Sequence, residues 1–191
     1  MSNYTLHIRN MVCPRCIKVV TEELEQLRLP IATVQLGEAH LLRQPTEAEL
    51  DQIRQALTTD GFELLDSKRT EIAEQIKIAL ISLIRSGKLE DLHINISDYL
   101  ANTLNKDYNF LSSLFSAEEG ITIARYVVLQ KIERAKELLA YDELTLSQIA
   151  YQLGYSSVAH LSGQFKQVTG LTPSAYKKDT ALLRKPLDQV Q

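Results

Sequence analysis

Hydrophobic positions change period several times along this 191-residue chain, and each change marks an element. In YTLHIRNM (4–11), Tyr4, Leu6 and Ile8 alternate with Thr5, His7 and Arg9, the two-residue period of a strand. From Cys16 the period lengthens. Ile17, Val20, Leu24 and Leu27 fall at helical spacing, with acids at 22, 23 and 25, and Pro30 ends the run. IATVQL (31–36) and AHLL (39–42) read as strands joined by a tight turn at Gly37-Glu38. Thr46, with Glu49 three positions on, forms a capping box that opens a helix running to Gly61. FELLD (62–66) is a last strand. The order β-α-β-β-α-β within residues 1–68 predicts a ferredoxin-like domain, with two helices on one face of a four-stranded antiparallel sheet. His7 and His40 are then expected to point outward from the open face, solvated or at a domain contact.

From Arg69 onward the strand signals stop. Ile72, Ile76, Leu80 and Leu83, with Ile84 alongside, stripe one helix that ends at Gly87. Ile96–Leu104 is a short helix, Asp107 caps another that stops at Gly120, and Thr122 opens a long one. Thr145 caps LSQIAYQLG, Ser156 or Ser157 caps VAHLSGQFKQVTG, and Thr172-Pro173 opens SAYKK with Pro in the first turn. Two short helix pairs joined by one long helix result, and each pair has the form of a helix-turn-helix. The expected class is therefore α+β. A βαββαβ domain (1–68) precedes an all-α domain with two helix-turn-helix motifs (69–180), and 181–191 form a frayed tail. Only Ser67 and Lys68 separate the two domains, which holds them close.

Composition is ordinary, 45% hydrophobic and 24% charged, with no apolar run of about 18 residues that would suggest a membrane span. MSNYTLHIRN lacks a basic start followed by an apolar stretch, so a cytoplasmic location with reduced thiols is expected. The net charge of −3 is unfavourable for a polyanion partner, but its distribution changes the picture. Residues 154–185 carry five basic side chains (Lys166, Lys177, Lys178, Arg184, Lys185) against one acid, Asp179. No nucleophile–base set, phosphate loop or paired acids suggests an enzyme.

The two cysteines, Cys13 and Cys16, stand together in MVCPRC between the first strand and the first helix. Cys16 opens the helix, where the dipole and free N–H groups favour negative charge, and Arg15 adds to it. Two soft ligands on a loop suit Cu(I), which accepts low coordination numbers. Zn(II) wants four ligands or three plus water, and Val12, not an acid, precedes Cys13. M-x-C-x-x-C between strand and helix, with D-G-F-E (60–63) before the last strand, resembles the heavy-metal-associated domain of copper chaperones and copper-transporting ATPases, over residues 4–67. That resemblance implies Cys13 and Cys16 as ligands, Met11 as a buried support beneath the loop, and Phe62 as a cover from the facing loop. It implies Cu(I), with Zn(II) or another soft metal also open, and a copper donor protein as partner. Cys-Pro-x-Cys at a helix start also resembles glutaredoxin, which keeps a Cys13–Cys16 disulfide switch open. A CxxC that holds nothing is the plainer alternative.

The helical part resembles the AraC-family DNA-binding domain from about Glu71 to Lys178. FLSSLF (110–115) with Gly120, ERAKELL (133–139), LTLSQIAYQLGYSS (144–157) and FKQVTGLTPSAYKK (165–178) carry the likeness. It implies double-stranded DNA as partner. Asn109, Ser112 and Ser113 would face bases from the first recognition helix, and Val158, Ala159, Ser162 and Gly163 from the second. N–H groups exposed at Ser156 or Ser157 would hold a phosphate, as would Lys166. Without the likeness, a stripe of serine and alanine reads as a solvated helix face. No Arg stands among these positions, so specificity is expected to lean on A·T pairs, thymine methyls and DNA shape. Ser116-Ala117-Glu118-Glu119 departs from the family, where Lys or Arg often follow the Phe, so the second pair is expected to bind more strongly. His160 is expected to be packed or solvated in preference to touching the DNA backbone.

Together the halves suggest a transcription regulator that senses a soft metal, acting as a monomer or as a homodimer formed through the open sheet face. A thiol-redox regulator, or a copper-binding chaperone or interaction protein without DNA binding, are the alternatives.

Overall fold

The computed structural model describes residues 4–87, 89 and 95–183. Its elements are β1 (Tyr4–Arg9), α1 (Pro14–Gln26), β2 (Ile31–Gln35), β3 (Glu38–Leu41), α2 (Glu47–Thr59), β4 (Glu63–Leu64), α3 (Lys68–Arg85), α4 (Ile96–Leu104), α5 (Tyr108–Glu119), α6 (Ile123–Tyr141), α7 (Leu146–Gln152), α8 (Val158–Thr169) and α9 (Pro173–Leu183). They form two compact units. The first runs to Ser82 and adds Ile96–Ile121; the second takes Leu83–Asn95 and the chain from Thr122 on. This differs from the division expected at residue 68, because most of α3 and the first short helix pair group with the sheet.

In the first unit the sheet order is β2-β3-β1-β4, with antiparallel pairing throughout. The registers Leu6↔Ala39 and Ile8↔Leu64 put the alternating apolar residues of three strands on one face. There they meet Val20 and Leu24 of α1 and Ile53 and Leu57 of α2, all fully buried. Each such side chain contributes about 1.5–3 kcal/mol by leaving water. The first strand is shorter than the alternation suggested. It stops at Arg9 because Asn10 takes a left-handed φ of 73°, which turns the chain into the cysteine loop. The last strand is also shorter, Glu63–Leu64 in place of 62–66. The first helix starts earlier: Pro14 occupies its first turn, where a missing N–H costs nothing, and Cys13 is the N-cap.

The sheet face expected to be open carries α3. Residues at helical spacing on α3 meet it: His7 Nε2 lies 3.6 Å from Glu71 Oε2, and Gln75 Nε2 donates to Glu38 Oε1 at 3.4 Å. A Cβ added at Gly37 would fall 2.4 Å from the terminal methyl of Ile78, so this turn lies against α3, and its φ of 81° is what calls for glycine. His7 and His40 are half-buried and paired instead of pointing freely outward. His40 Nδ1 shares a hydrogen bond with Thr5 Oγ1 at 3.0 Å.

The capping box at Thr46 is complete. Arg43 hydrogen-bonds the Glu49 carboxylate and, with help from the Thr46 N–H, holds it down at about 2. A carboxyl lowered on folding stabilises fully above its ordinary value of 4.5 and loses that contribution as pH falls toward 2. Arg43→Ala is therefore expected to lower the urea midpoint modestly at pH 7 and low salt, and not at pH 2. Equal losses at both pH values would show that Arg43 acts through packing.

In the second unit α6 packs against α7, α8 and α9. Its core joins Ile132, Ala135 and Leu139 of α6 to Ile149 of α7, Leu153 just after it, and Leu161 and Phe165 of α8. The turn between α7 and α8 depends on Gly154, whose φ of 65° lets Tyr155 N–H reach Ala150 O at 2.9 Å. Helix α9 runs to Leu183, beyond the SAYKK segment, and Arg184 and Lys185 of the expected basic end lie outside the described residues. Among the described residues no helix is long and apolar enough to cross a membrane.

Candidate nucleic-acid interface and thiol loop

Helix α5 begins where Asp107 accepts the Phe110 N–H at 3.0 Å, and ends at Gly120 in a left-handed conformation. Leu111, Leu114 and Phe115 are buried, which fixes the rotation of the helix. Asn109 and Ser113 are left exposed, with Ser112 at the margin. Phe110 is 48% exposed beside Asn109, an apolar ring on a surface otherwise made of small polar groups. Glu118 and Glu119, which depart from the expected basic pattern, are engaged by α3. Arg69 Nε donates to Glu118 at 2.8 Å, and Lys77 Nζ lies 3.1 Å from Glu119.

Helix α8 is built in the same way in its own unit. Ser157, not Ser156, is the cap, and its Oγ accepts the His160 N–H at 3.1 Å. Leu161 and Phe165 point into the core, so Ala159, Gly163 and Lys166 are exposed and Val158 and Ser162 are half-buried. An added Cβ at Gly163 would meet nothing within 4 Å. Packing does not explain this glycine, which leaves a shallow spot on an exposed helix face. His160 is exposed, within 3.3 Å of Ser156 Oγ and edge-on to Tyr155. Tyr155 itself is structural: its hydroxyl donates to Gln164 Oε1 at 2.9 Å, and burial pushes its phenol up to about 12.

The thiol loop is the turn from β1 into α1. Cys13 and Cys16 are half-buried, their sulfurs 3.3 Å apart, and Cys16 N–H bonds Cys13 O at 3.0 Å within the first helical turn. Met11 is fully buried beneath the loop, and Phe62 is 8% exposed. Among the described residues no group of three or more His, Cys, Asp or Glu side chains gathers here. The donor set thus fits a soft ion of low coordination number, held by Cys13 and Cys16, better than a closed four-ligand site.

Residues 100–179 match the family model described as a helix-turn-helix domain. The regulatory protein PocR of Salmonella typhimurium is 30% identical over 123 residues, 63% of this chain and 36% of PocR. A Streptomyces lividans protein named as an AraC-like transcription regulator is 35% identical over 79 residues, 41% of this chain and 26% of that protein. Residues 100–179 form a helix-turn-helix domain. YtdP of Bacillus subtilis, named as an HTH-type transcriptional regulator, is 33% identical over 81 residues, 42% of this chain and 10% of YtdP. The chain thus spans between 10% and 36% of the length of these relatives. On α5 and α8, Phe110 and Gln167 are among the exposed side chains that the sequence pattern did not single out. Phe110 follows a cap and precedes a buried Leu, so its exposure follows only from the rotation that Leu111 and Phe115 impose.

Proposed function

We propose that the protein is a cytoplasmic, sequence-specific DNA-binding transcription regulator whose DNA affinity responds to a soft metal ion such as Cu(I) held by Cys13 and Cys16. One observation carries the reading: two thiols in contact at 3.3 Å open a helix on the same chain as a helix-turn-helix domain at 100–179, which we read as AraC-type. We read the β1–β4 region as a ferredoxin-like, heavy-metal-associated domain, with Met11 as the buried support of the loop and Phe62 as its cover. Zn(II) or another soft ion would need further ligands, from water or a donor protein. On the DNA side, Asn109, Ser112 and Ser113 of α5 and Val158, Ala159, Ser162 and Gly163 of α8 are the base-facing set. Lys166 and the N–H groups at Ser156 and Ser157 meet phosphate.

The metal acts by preferring one of two conformations, and it shifts DNA affinity only by its difference in affinity for them. A coupling of about 1–3 kcal/mol gives a 5- to 150-fold response. Fluorescence anisotropy of the reduced protein on DNA from upstream of its own gene, with and without one equivalent of Cu(I), tests this. The wild type is expected to shift within that range. Changing Cys13 and Cys16 to Ser removes the shift and keeps basal binding. Equal binding with and without metal in the wild type would remove copper from the reading.

The sulfur contact also favours a second reading, a reversible Cys13–Cys16 disulfide formed by loss of two protons and two electrons to a mild oxidant such as oxidised glutathione. An oxidant-induced change in DNA affinity, reversed by dithiothreitol without metal, is its signature.

A further inference from the structure

We infer that Glu74 relays the state of the thiol loop to the end of the first recognition helix; this rests on the thiol-dependent regulation proposed above. Glu74, on α3, is 3% exposed, and a carboxylate so buried must be paired. Its Oε1 accepts the Asn10 N–H at 2.9 Å, and its Oε2 lies 2.8 Å from Lys77 Nζ, one helical turn along. Lys77 in turn reaches Glu119 at 3.1 Å, at the end of α5. On the other side, Asn10 is the pivot of the thiol loop. Its side chain donates to Gly61 O at 3.0 Å, its φ is 73°, and its carbonyl lies 3.9 Å from Cys16 Sγ, within reach of a thiol donor. Cys16, Asn10, Glu74, Lys77 and Glu119 thus form one connected series inside the first compact unit.

A relay requires a second arrangement, and two buried atoms without an aligned hydrogen bond beside Glu74 mark where it would form. Glu74 Oε2 makes an ion contact with Lys77 but no aligned hydrogen bond, and the buried Nε of Arg9 has no hydrogen-bond partner among the described residues. The two atoms stand 4.0 Å apart. Glu74 therefore has one cation engaged at 2.8 Å, and a second, Arg9, which holds Glu63 through Nη1 at 2.9 Å, stands within 4.0 Å of it through Nε. Cys16 donates to the Asn10 carbonyl only while its sulfur carries a proton, and a metal-bound or disulfide sulfur carries none. Loss of that donor frees the Asn10 peptide to shift. Glu74 follows it toward Arg9, and Lys77 passes to Glu119, tightening the end of α5 on α3.

Glu74→Gln, which keeps the shape, and Glu119→Gln, which cuts the far end at a more exposed position, test the relay. Each is measured on the full chain for DNA affinity with and without Cu(I), and for Cu(I) affinity by chelator competition with and without DNA. Coupling is reciprocal, so both readouts should move together. The wild type is expected to change by about fivefold or more in each. A variant that still binds Cu(I) and DNA separately, with both fold-changes reduced to about one, supports the relay; Glu119→Gln alone suffices should Glu74→Gln fail to fold. A wild type that responds while the folded variants respond by the same factor overturns the relay and leaves the metal reading standing. A wild type that responds to neither Cu(I) nor oxidation overturns both.

Discussion

Phe165→Ala is expected to remove about 3–5 kcal/mol from the second compact unit, the usual cost of emptying an aromatic site in a packed core. Phe165 is fully buried on α8, one turn from the fully buried Leu161, and its ring meets Tyr176 of α9 edge-on at 5.4 Å. It therefore ties the recognition helix to α9 and, through the shared cluster of Ile132, Ile149 and Leu153, to α6 and α7. Domains of this size have total stabilities of about 5–15 kcal/mol, so such a loss takes a large share. DNA affinity should fall with it, because the rotation of α8 is set by the side chains it buries. Urea unfolding followed by circular dichroism, with amide hydrogen exchange to separate the two units, measures the effect. The loss should appear as exchange in α6–α9, with β1 and β3 unaffected. A shift of under about 1 kcal/mol would mean that α8 is held by its caps and not by this ring.

The parts of the fold legible in the sequence were those written locally. Thr46, Asp107, Thr122 and Thr145 each cap the helix their sequence announced, because a cap needs only a side-chain oxygen and an N–H three residues on. The alternation of Leu6 and Ile8 placed β1, and the inward faces of α5 and α8 followed from their Leu and Phe spacing. The covering of the sheet by α3 was not legible. The stripe on that helix that meets the sheet includes Glu71, Glu74 and Gln75, polar residues that an apolar periodicity assigns to solvent. The partners of Glu118 and Glu119 were not legible either, because Arg69 and Lys77 lie about forty to fifty residues earlier in the chain, beyond any local signal. In the thiol loop, the period began at Cys16 because Pro14 and Arg15 carry no apolar signal, yet the helix itself begins at Pro14.

Gly163 supports the second large prediction, through two substitutions with opposite consequences. Gly163→Ala should raise the stability of the unit by about 0.5–1 kcal/mol. A helix-interior glycine costs that much relative to alanine, and the added Cβ meets no atom within 4 Å. Gly163→Glu should gain part of the same helix propensity and yet lower DNA affinity by a hundredfold or more. It places a carboxylate on the face that carries Ala159 and Lys166, and a like charge set against phosphate costs several kcal/mol. A plain solvated helix face would behave differently, since both variants would then be at least as stable as the wild type and bind DNA equally well. Lys166→Ala separates charge from contact on that face. It should weaken binding about equally on all sequences and reduce the salt slope by about one. Thermal melting beside anisotropy titrations at two salt concentrations resolves all three variants. A stable Gly163→Glu protein that still binds with wild-type affinity would move the DNA-binding surface off α8.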